Sequence, residues 1–185
     1  MAIISAAEII RMIITTAALG YIFSAFISKK SIYGVYKSIS MEDIKLAALI
    51  SAPAVILHEM AHKFVAMAFG ISAEFFASYT GLALGVILKM FGSPFLVFIP
   101  GYVIISSANI IQSGIISFAG PFTNLLLWLS ATVIVKYYHR LKNKHMLIII
   151  LTKKINGILF LFNMIPFGFF DGANVLSAVR FIIGI

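Results

Sequence analysis

The sequence contains no cysteine and very little charge. Charged residues make up 11% of the 185 positions, whereas about a quarter is usual for soluble domains. Without cysteine, disulfides and thiolate metal ligands are excluded. A metal site in this chain therefore has to be built from histidine and carboxylate side chains. The acidic side chains are Glu8, Glu42, Asp43, Glu59, Glu74 and Asp171.

Hydrophobic residues are abundant instead, at 62% of the chain, with a mean hydropathy of +1.08. Several apolar runs approach the roughly 20 residues that a membrane-spanning helix needs. The sequence predicts an all-α fold, a polytopic membrane helical bundle with about five to six hydrophobic segments. Residues 1–185 are expected to form a single integral-membrane domain of a multi-pass protein, with the cell membrane as the expected location.

The net charge of +8 is concentrated in two polar connections, residues 28–45 and 136–145. Basic connections beside membrane spans are common and suit anionic headgroups. Membrane lipids are therefore expected partners, and nucleic acid is not. The sequence makes no prediction of the oligomeric state.

Helices are predicted at residues 3–27, 46–69, 113–135 and 146–165, followed by a short apolar helix that runs to residue 185. Residues 71–112 are harder to assign, because glycine and proline interrupt apolar runs that are too short to span a bilayer. We expect a possible re-entrant or hairpin element there, packed against the bundle. A broken full-length helix is the alternative.

The second predicted helix contains the sequence His58-Glu59-Met60-Ala61-His62. Positions i and i+4 of a helix share one face, so the two imidazoles can hold one metal between them. Glu59 is then placed to act as a base on water activated by that metal. Ionisable groups at membrane depth are costly and usually functional. The alternative is a pair of hydrogen-bonded histidines in the core of the bundle.

A catalytic zinc site normally has three protein ligands. Asp171 is the only acidic residue C-terminal to Glu74, so it is the candidate if the third ligand is a carboxylate from that half. Pro166 and Gly168 should unwind the chain between Asn163 and Asp171. The alternative role for Asp171 is the N-cap of the last helix.

Another polar position lies within the predicted helix at 113–135, in Gly120-Pro121-Phe122-Thr123-Asn124. Gly-Pro frees backbone groups and allows another helix to approach closely. Asn124 is then either a polar contact between helices or a group that faces an active-site cavity and helps to bind the substrate or its oxyanion.

These three motifs together resemble the site-2 protease family of intramembrane zinc metalloproteases, in a compact form without a PDZ domain. The resemblance implies one Zn²⁺ per chain, bound by His58, His62 and Asp171. It implies that Glu59 is the catalytic acid and base, and that Asn163 helps to hold the substrate carbonyl. The partner it implies is the transmembrane helix of a client membrane protein. The matching residues are His58-Glu59-x-x-His62, Gly120-Pro121-x-x-Asn124 and Asn163-x-x-Pro166-x-x-x-x-Asp171-Gly172.

Two other classes of function would account for part of this pattern. Membrane zincins that process prenylated proteins share the His-Glu-x-x-His motif, but their third metal ligand is a glutamate further along the chain. In this sequence no glutamate follows Glu74. A non-catalytic metal-binding membrane scaffold or a metal transporter would explain buried histidines. It would not explain Glu59 together with an unwound segment before Asp171.

Overall fold

The computed structural model describes residues 3–27, 39–92, 99–138 and 143–185. These residues form six helices and two short strands, so the prediction of an all-α membrane bundle is confirmed. Four helices, α1, α2, α4 and α5, are long and apolar enough to cross a membrane. The elements in chain order are α1 Ala6–Ile27, α2 Met41–Ala68, β1 Ala73–Ala77, α3 Tyr79–Met90, β2 Gly101–Ile105, α4 Ile110–Tyr137, α5 Asn143–Asn163 and α6 Asp171–Ile183.

Helix α2 is held at both ends by local signals in the sequence. The Ser40 hydroxyl accepts a hydrogen bond from the Asp43 N–H (3.2 Å), and the Asp43 carboxylate accepts one from the Ser40 N–H (2.9 Å). Ser40, Glu42 and Asp43 suit an N-cap and a first turn, and the helix accordingly begins at Met41, five residues before the predicted apolar span. At the other end Gly70 takes a left-handed conformation (φ +74°) that closes the helix.

The described residues between 71 and 109 include two paired strands, β1 and β2, with the 12-residue helix α3 between them in the chain. The Ser78 N–H donates to the Pro100 carbonyl and the Ser106 N–H donates to the Ser72 carbonyl, so β1 and β2 are antiparallel. The hairpin reading of this segment therefore fits better than a broken full-length helix. The strands themselves were not predicted, because their five residues carry no clear alternation of polar and apolar side chains.

The chain divides into two compact units. The first comprises Met1–Val55 and Phe76–Tyr102, and in it α1 packs against α3. The second comprises Ile56–Phe75 and Val103–Ile185, and in it α4 packs against both α5 and α6. All the predicted site residues belong to the second unit. Residues 28–38 of the first basic connection and residues 139–142 of the second fall outside the described residues.

The contact between α4 and α6 depends on a glycine. A β carbon on Gly114 of α4 would overlap the β carbon of Ala178 on α6. Three residues along α4, the Ser117 hydroxyl accepts a hydrogen bond from the Asn174 side-chain amide of α6 (3.0 Å). Between α5 and α6 the chain is unwound over residues 164–170, as Pro166 and Gly168 predicted.

Candidate metal centre

Two buried histidines on one face of α2 form the first part of the site. The rings of His58 and His62 meet edge to face, with centroids 4.7 Å apart and an interplanar angle of 83°. Their Nε2 atoms lie 3.0 Å from each other. The spacing of four residues has therefore brought the two imidazoles to a common point, as the sequence predicted.

Asp171 brings a carboxylate to the same point from α6. Its Oδ2 atom lies 3.2 Å from Nε2 of His58 and 3.4 Å from Nε2 of His62. Asp171 is the first residue of α6, and Phe170 before it holds the N-cap position without a side-chain hydrogen bond. The N-cap alternative for Asp171 is therefore wrong, because its side chain reaches the histidines instead of the backbone of its own helix.

The far sides of both imidazole rings are fixed by acceptors on α4. Nδ1 of His62 lies 2.7 Å from the backbone carbonyl of Ile116, and Nδ1 of His58 lies 2.6 Å from the side-chain oxygen of Asn124. A carbonyl oxygen can only accept, so each Nδ1 carries the hydrogen and donates it. Each neutral ring then directs the lone pair of Nε2 toward Asp171, which is the arrangement that a metal-binding histidine needs.

Three electron-pair donors that meet this closely require a cation or protons among them. The ligand atoms of His58, His62 and Asp171 all lie within 4.8 Å of one another. Ligands bound at about 2.0–2.1 Å around a tetrahedral metal are about 3.3–3.5 Å apart. The separations of 3.0, 3.2 and 3.4 Å come close to this spacing, so the donor set fits a tetrahedral ion such as Zn²⁺.

The Asp171 carboxyl is held in its ionised form. Burial, the largest single influence, raises the pKa of this carboxyl. When protons rather than a metal occupy the Nε2 atoms of His58 and His62, the hydrogen bonds and positive charge of the two rings outweigh burial and lower the pKa to about 2. A carboxylate must be ionised to bind a metal. Asp171 therefore meets that condition throughout the physiological pH range.

Gly120 of α4 leaves the space in which these atoms meet. A β carbon at this position would approach Nε2 of His58 to 2.6 Å and would come closer still to Nε2 of His62. The sequence predicted that Gly-Pro allows a helix to approach closely. At Gly120 the groups that lie close to α4 are the imidazole rings of His58 and His62, with their Nε2 atoms nearest to the glycine.

The other predicted residues take different places. Glu59 is buried beside the ligands, near enough to the Asp171 carboxylate for the two to interact electrostatically. Asn163 is the half-buried last residue of α5, directly before the unwound segment. Asn124 is fully buried, and its amide bonds both His58 and Asn156. Asn124 therefore makes the polar contact between helices that was one of its two predicted roles, and it orients His58; a contact with substrate or oxyanion stays a prediction.

Sequence reasoning missed several residues that build the site. The Ile116 carbonyl has no side-chain signal, and the contact of Gly114 with Ala178 joins two distant segments. Asn156 could have been found, because a buried amide inside an apolar helix of membrane length is itself unusual.

Comparison with known proteins gives one informative relative. The chain is 34% identical, over 180 residues, to "Putative zinc metalloprotease MJ0611" of Methanocaldococcus jannaschii, and the match covers 95% of this chain and 86% of that protein. No protein-family model matches the chain, and no solved structure matches it. The identity and the extent of the match show that the chain belongs to the same zinc metalloprotease family as the Methanocaldococcus protein.

Proposed function

We propose that this protein is an intramembrane zinc metalloprotease of the site-2 type, which hydrolyses peptide bonds within or near transmembrane segments of client membrane proteins. One observation carries the proposal. Two of the three ligands lie on α2, a 28-residue helix of membrane length, and Glu59 follows the first of them directly. The same site in a soluble domain would indicate only a metalloprotease.

The proposed cofactor is one Zn²⁺ per chain, held by His58, His62 and Asp171. When bound, zinc acts as a Lewis acid toward water and the scissile carbonyl. Glu59 accepts the proton of the attacking water and then passes it to the nitrogen of the leaving amine. Its burial beside the ligands supports this role, because general bases act within hydrogen-bonding reach of the proton they remove.

Asn163 is proposed to hold the scissile carbonyl through its side-chain amide. Its place at the end of α5, where the chain leaves the helix before Asp171, supports this proposal. A donor of this kind gains strength as negative charge develops on the carbonyl oxygen. Removing one typically costs about 100- to 1,000-fold in rate.

The proposed substrate is a membrane helix that unwinds easily. A peptide bond inside a helix is shielded, and its carbonyl already accepts a hydrogen bond. The helix has to open before Glu59 and the metal can reach that carbonyl. Clients with Gly, Pro or Asn near the cleaved bond should therefore be cut faster than uniformly helical ones.

The test uses purified protein and a pair of tagged single-span model substrates in liposomes. One substrate has a uniform Leu/Ala span, and the other has Gly-Pro at its centre. We expect cleavage of the Gly-Pro span, with one ¹⁸O atom from labelled water in the new carboxylate, and little cleavage of the uniform span. Loss of cleavage in a chelator and its recovery with Zn²⁺ would link the reaction to the metal.

Equal cleavage of both spans would contradict the proposed substrate class. Bound zinc without hydrolysis of either span would instead favour the alternative, a non-catalytic metal-binding membrane scaffold or metal transporter. A transport assay with the same liposomes would then separate those two.

A further inference from the structure

A line of three hydrogen bonds runs from the metal site into α5. Nδ1 of His58 bonds Oδ1 of Asn124 (2.6 Å), Nδ2 of Asn124 donates to Oδ1 of Asn156 (2.9 Å), and Nδ2 of Asn156 donates to the Thr152 carbonyl (2.8 Å). The two asparagines are 0% and 1% exposed. Water therefore cannot easily reach these side chains to replace a lost hydrogen-bond partner.

The direction of each hydrogen bond in this line follows from the group at its end, the Thr152 carbonyl. A backbone carbonyl only accepts hydrogen bonds, so the Asn156 atom that faces Thr152 must be the amide nitrogen. The Asn156 oxygen then faces Asn124 and accepts from its nitrogen, which turns the Asn124 oxygen toward His58. Nδ1 of His58 must therefore carry a hydrogen, and Nε2 is left with the lone pair that a metal binds.

We propose that Asn156 is a positioning residue for the metal ligand His58 and acts through Asn124. The other histidine needs no such relay, because His62 donates directly to the Ile116 carbonyl. Both imidazoles are thus oriented by backbone carbonyls, one directly and the other across two side-chain amides. The inference rests on the proposed zinc site, but not on proteolysis.

Loss of Asn156 should change which ring nitrogen of His58 carries the hydrogen. Without the Asn156 oxygen, the Asn124 nitrogen loses the acceptor toward which it points, and the amide can turn to present its nitrogen to Nδ1 of His58. Nδ1 then has to accept, and the ring hydrogen moves to Nε2, where it blocks the metal. Partners that orient metal-binding histidines typically contribute about 10- to 100-fold to metal affinity.

The experiment measures zinc affinity by competition with a chelator, on detergent-purified full-length protein. It compares wild type, Asn156→Leu, Asn124→Leu and the double variant. We expect Asn156→Leu to lower affinity about 10-fold and Asn124→Leu about 10- to 100-fold. Because the two residues act in series, the double variant should bind zinc no more weakly than Asn124→Leu alone.

A second variant separates polarity from packing. In Asn156→Asp a protonated carboxyl group can donate to the Thr152 carbonyl and offer its other oxygen to Asn124, so affinity should stay within about threefold of wild type. Thr132→Val is the matched control, since it removes a hydrogen bond to the Trp128 carbonyl in α4 (2.8 Å) that is separate from the relay. It should leave zinc affinity unchanged.

The visible absorption of the Co²⁺-substituted protein gives a readout independent of affinity, because it reports the ligand geometry around the metal. It should change in Asn156→Leu and persist in Asn156→Asp. If Asn156→Leu does not fold, as judged by helical circular dichroism and gel filtration, Asn156→Ala takes its place.

Wild-type affinity in Asn156→Leu, additive losses in the double variant, or equal losses in the Leu and Asp variants would each overturn the inference. A wild-type protein without zinc affinity would overturn the metal site itself. The two failures can therefore be told apart.

Discussion

A β carbon on Gly120 would lie 2.6 Å from the Nε2 atom of His58. Gly120, the first residue of the Gly-Pro sequence in α4, thus lines the metal site. Because a helix that carries any side chain at this position would occupy the space of the ligand atoms, the site depends on a residue that itself binds nothing.

Replacing Gly120 by alanine should therefore remove the metal. The added methyl group collides with Nε2 of both histidines, which can escape only by turning their rings away from Asp171. We expect zinc affinity and hydrolysis to fall by more than about 100-fold, beyond the range for losing an outer partner. Metal analysis of purified protein measures the first effect.

The matched control for that variant is Gly157→Ala in α5. There the new methyl would lie 3.2 Å from the Trp128 ring, which has to shift by a few tenths of an ångström, and zinc should stay bound. Equal zinc content in Gly120→Ala and wild type would show that the histidines are not held where the structure has them.

Asp171→Ala should lose zinc because it removes one of three ligands. The expected loss of affinity is again more than about 100-fold. Asp43→Ala is a fitting control, since this carboxylate caps α2 and takes no part in the metal site. If Asp171→Ala bound zinc as tightly as wild type, the third ligand would have to be sought elsewhere.

Glu59→Gln should separate metal binding from catalysis. The amide has nearly the shape of the carboxylate but cannot accept the proton, and general bases contribute about 100- to 10,000-fold. We expect full zinc content and a rate reduced by at least that range in the liposome assay. Substantial activity in this variant would assign the base to another group.

Gly114→Ala should weaken zinc binding from a distance. The new methyl overlaps the β carbon of Ala178 and pushes α6, which carries Asp171, away from α4. Adding Ala178→Gly removes the overlap and should restore most of the lost affinity. A compensating pair of this kind tests docking directly, because neither residue touches the metal. No recovery in the double variant would count against the proposed dependence of Asp171 on α6 docking.

The sequence alone predicts much of the helical bundle and the three side chains that meet at the candidate metal site. Long apolar runs identify α1, α2, α4 and α5, since a membrane span needs little more than length and hydropathy. His58 and His62 are four residues apart, so their meeting follows from helix geometry. The unwound segment before Asp171 follows from Pro166 and Gly168.

Contacts between distant segments were harder to predict. The position of Gly120 against the histidines depends on how α4 crosses α2, which no local pattern specifies. The sequence predicts that Asn124 makes either a polar contact between helices or a contact with substrate, but it does not identify His58 and Asn156 as the partners, because they lie on two other helices. The strands β1 and β2 could not be predicted for the same reason. A strand of five residues depends more on pairing with its partner strand than on its own residues.

Because two ligands lie on α2 and the third lies on α6, a bound metal ion would link the two helices. The short helix α6 is joined to α5 by an unwound segment, and its docking on α4 brings Asp171 to the site. Since only the docked form offers all three ligands, zinc and docking stabilise each other by the same free energy. At a free zinc concentration 100 times the dissociation constant this amounts to about 2.7 kcal/mol. Any process that pulls α6 away from α4 must overcome that energy, and a loss of zinc would loosen the helix in return.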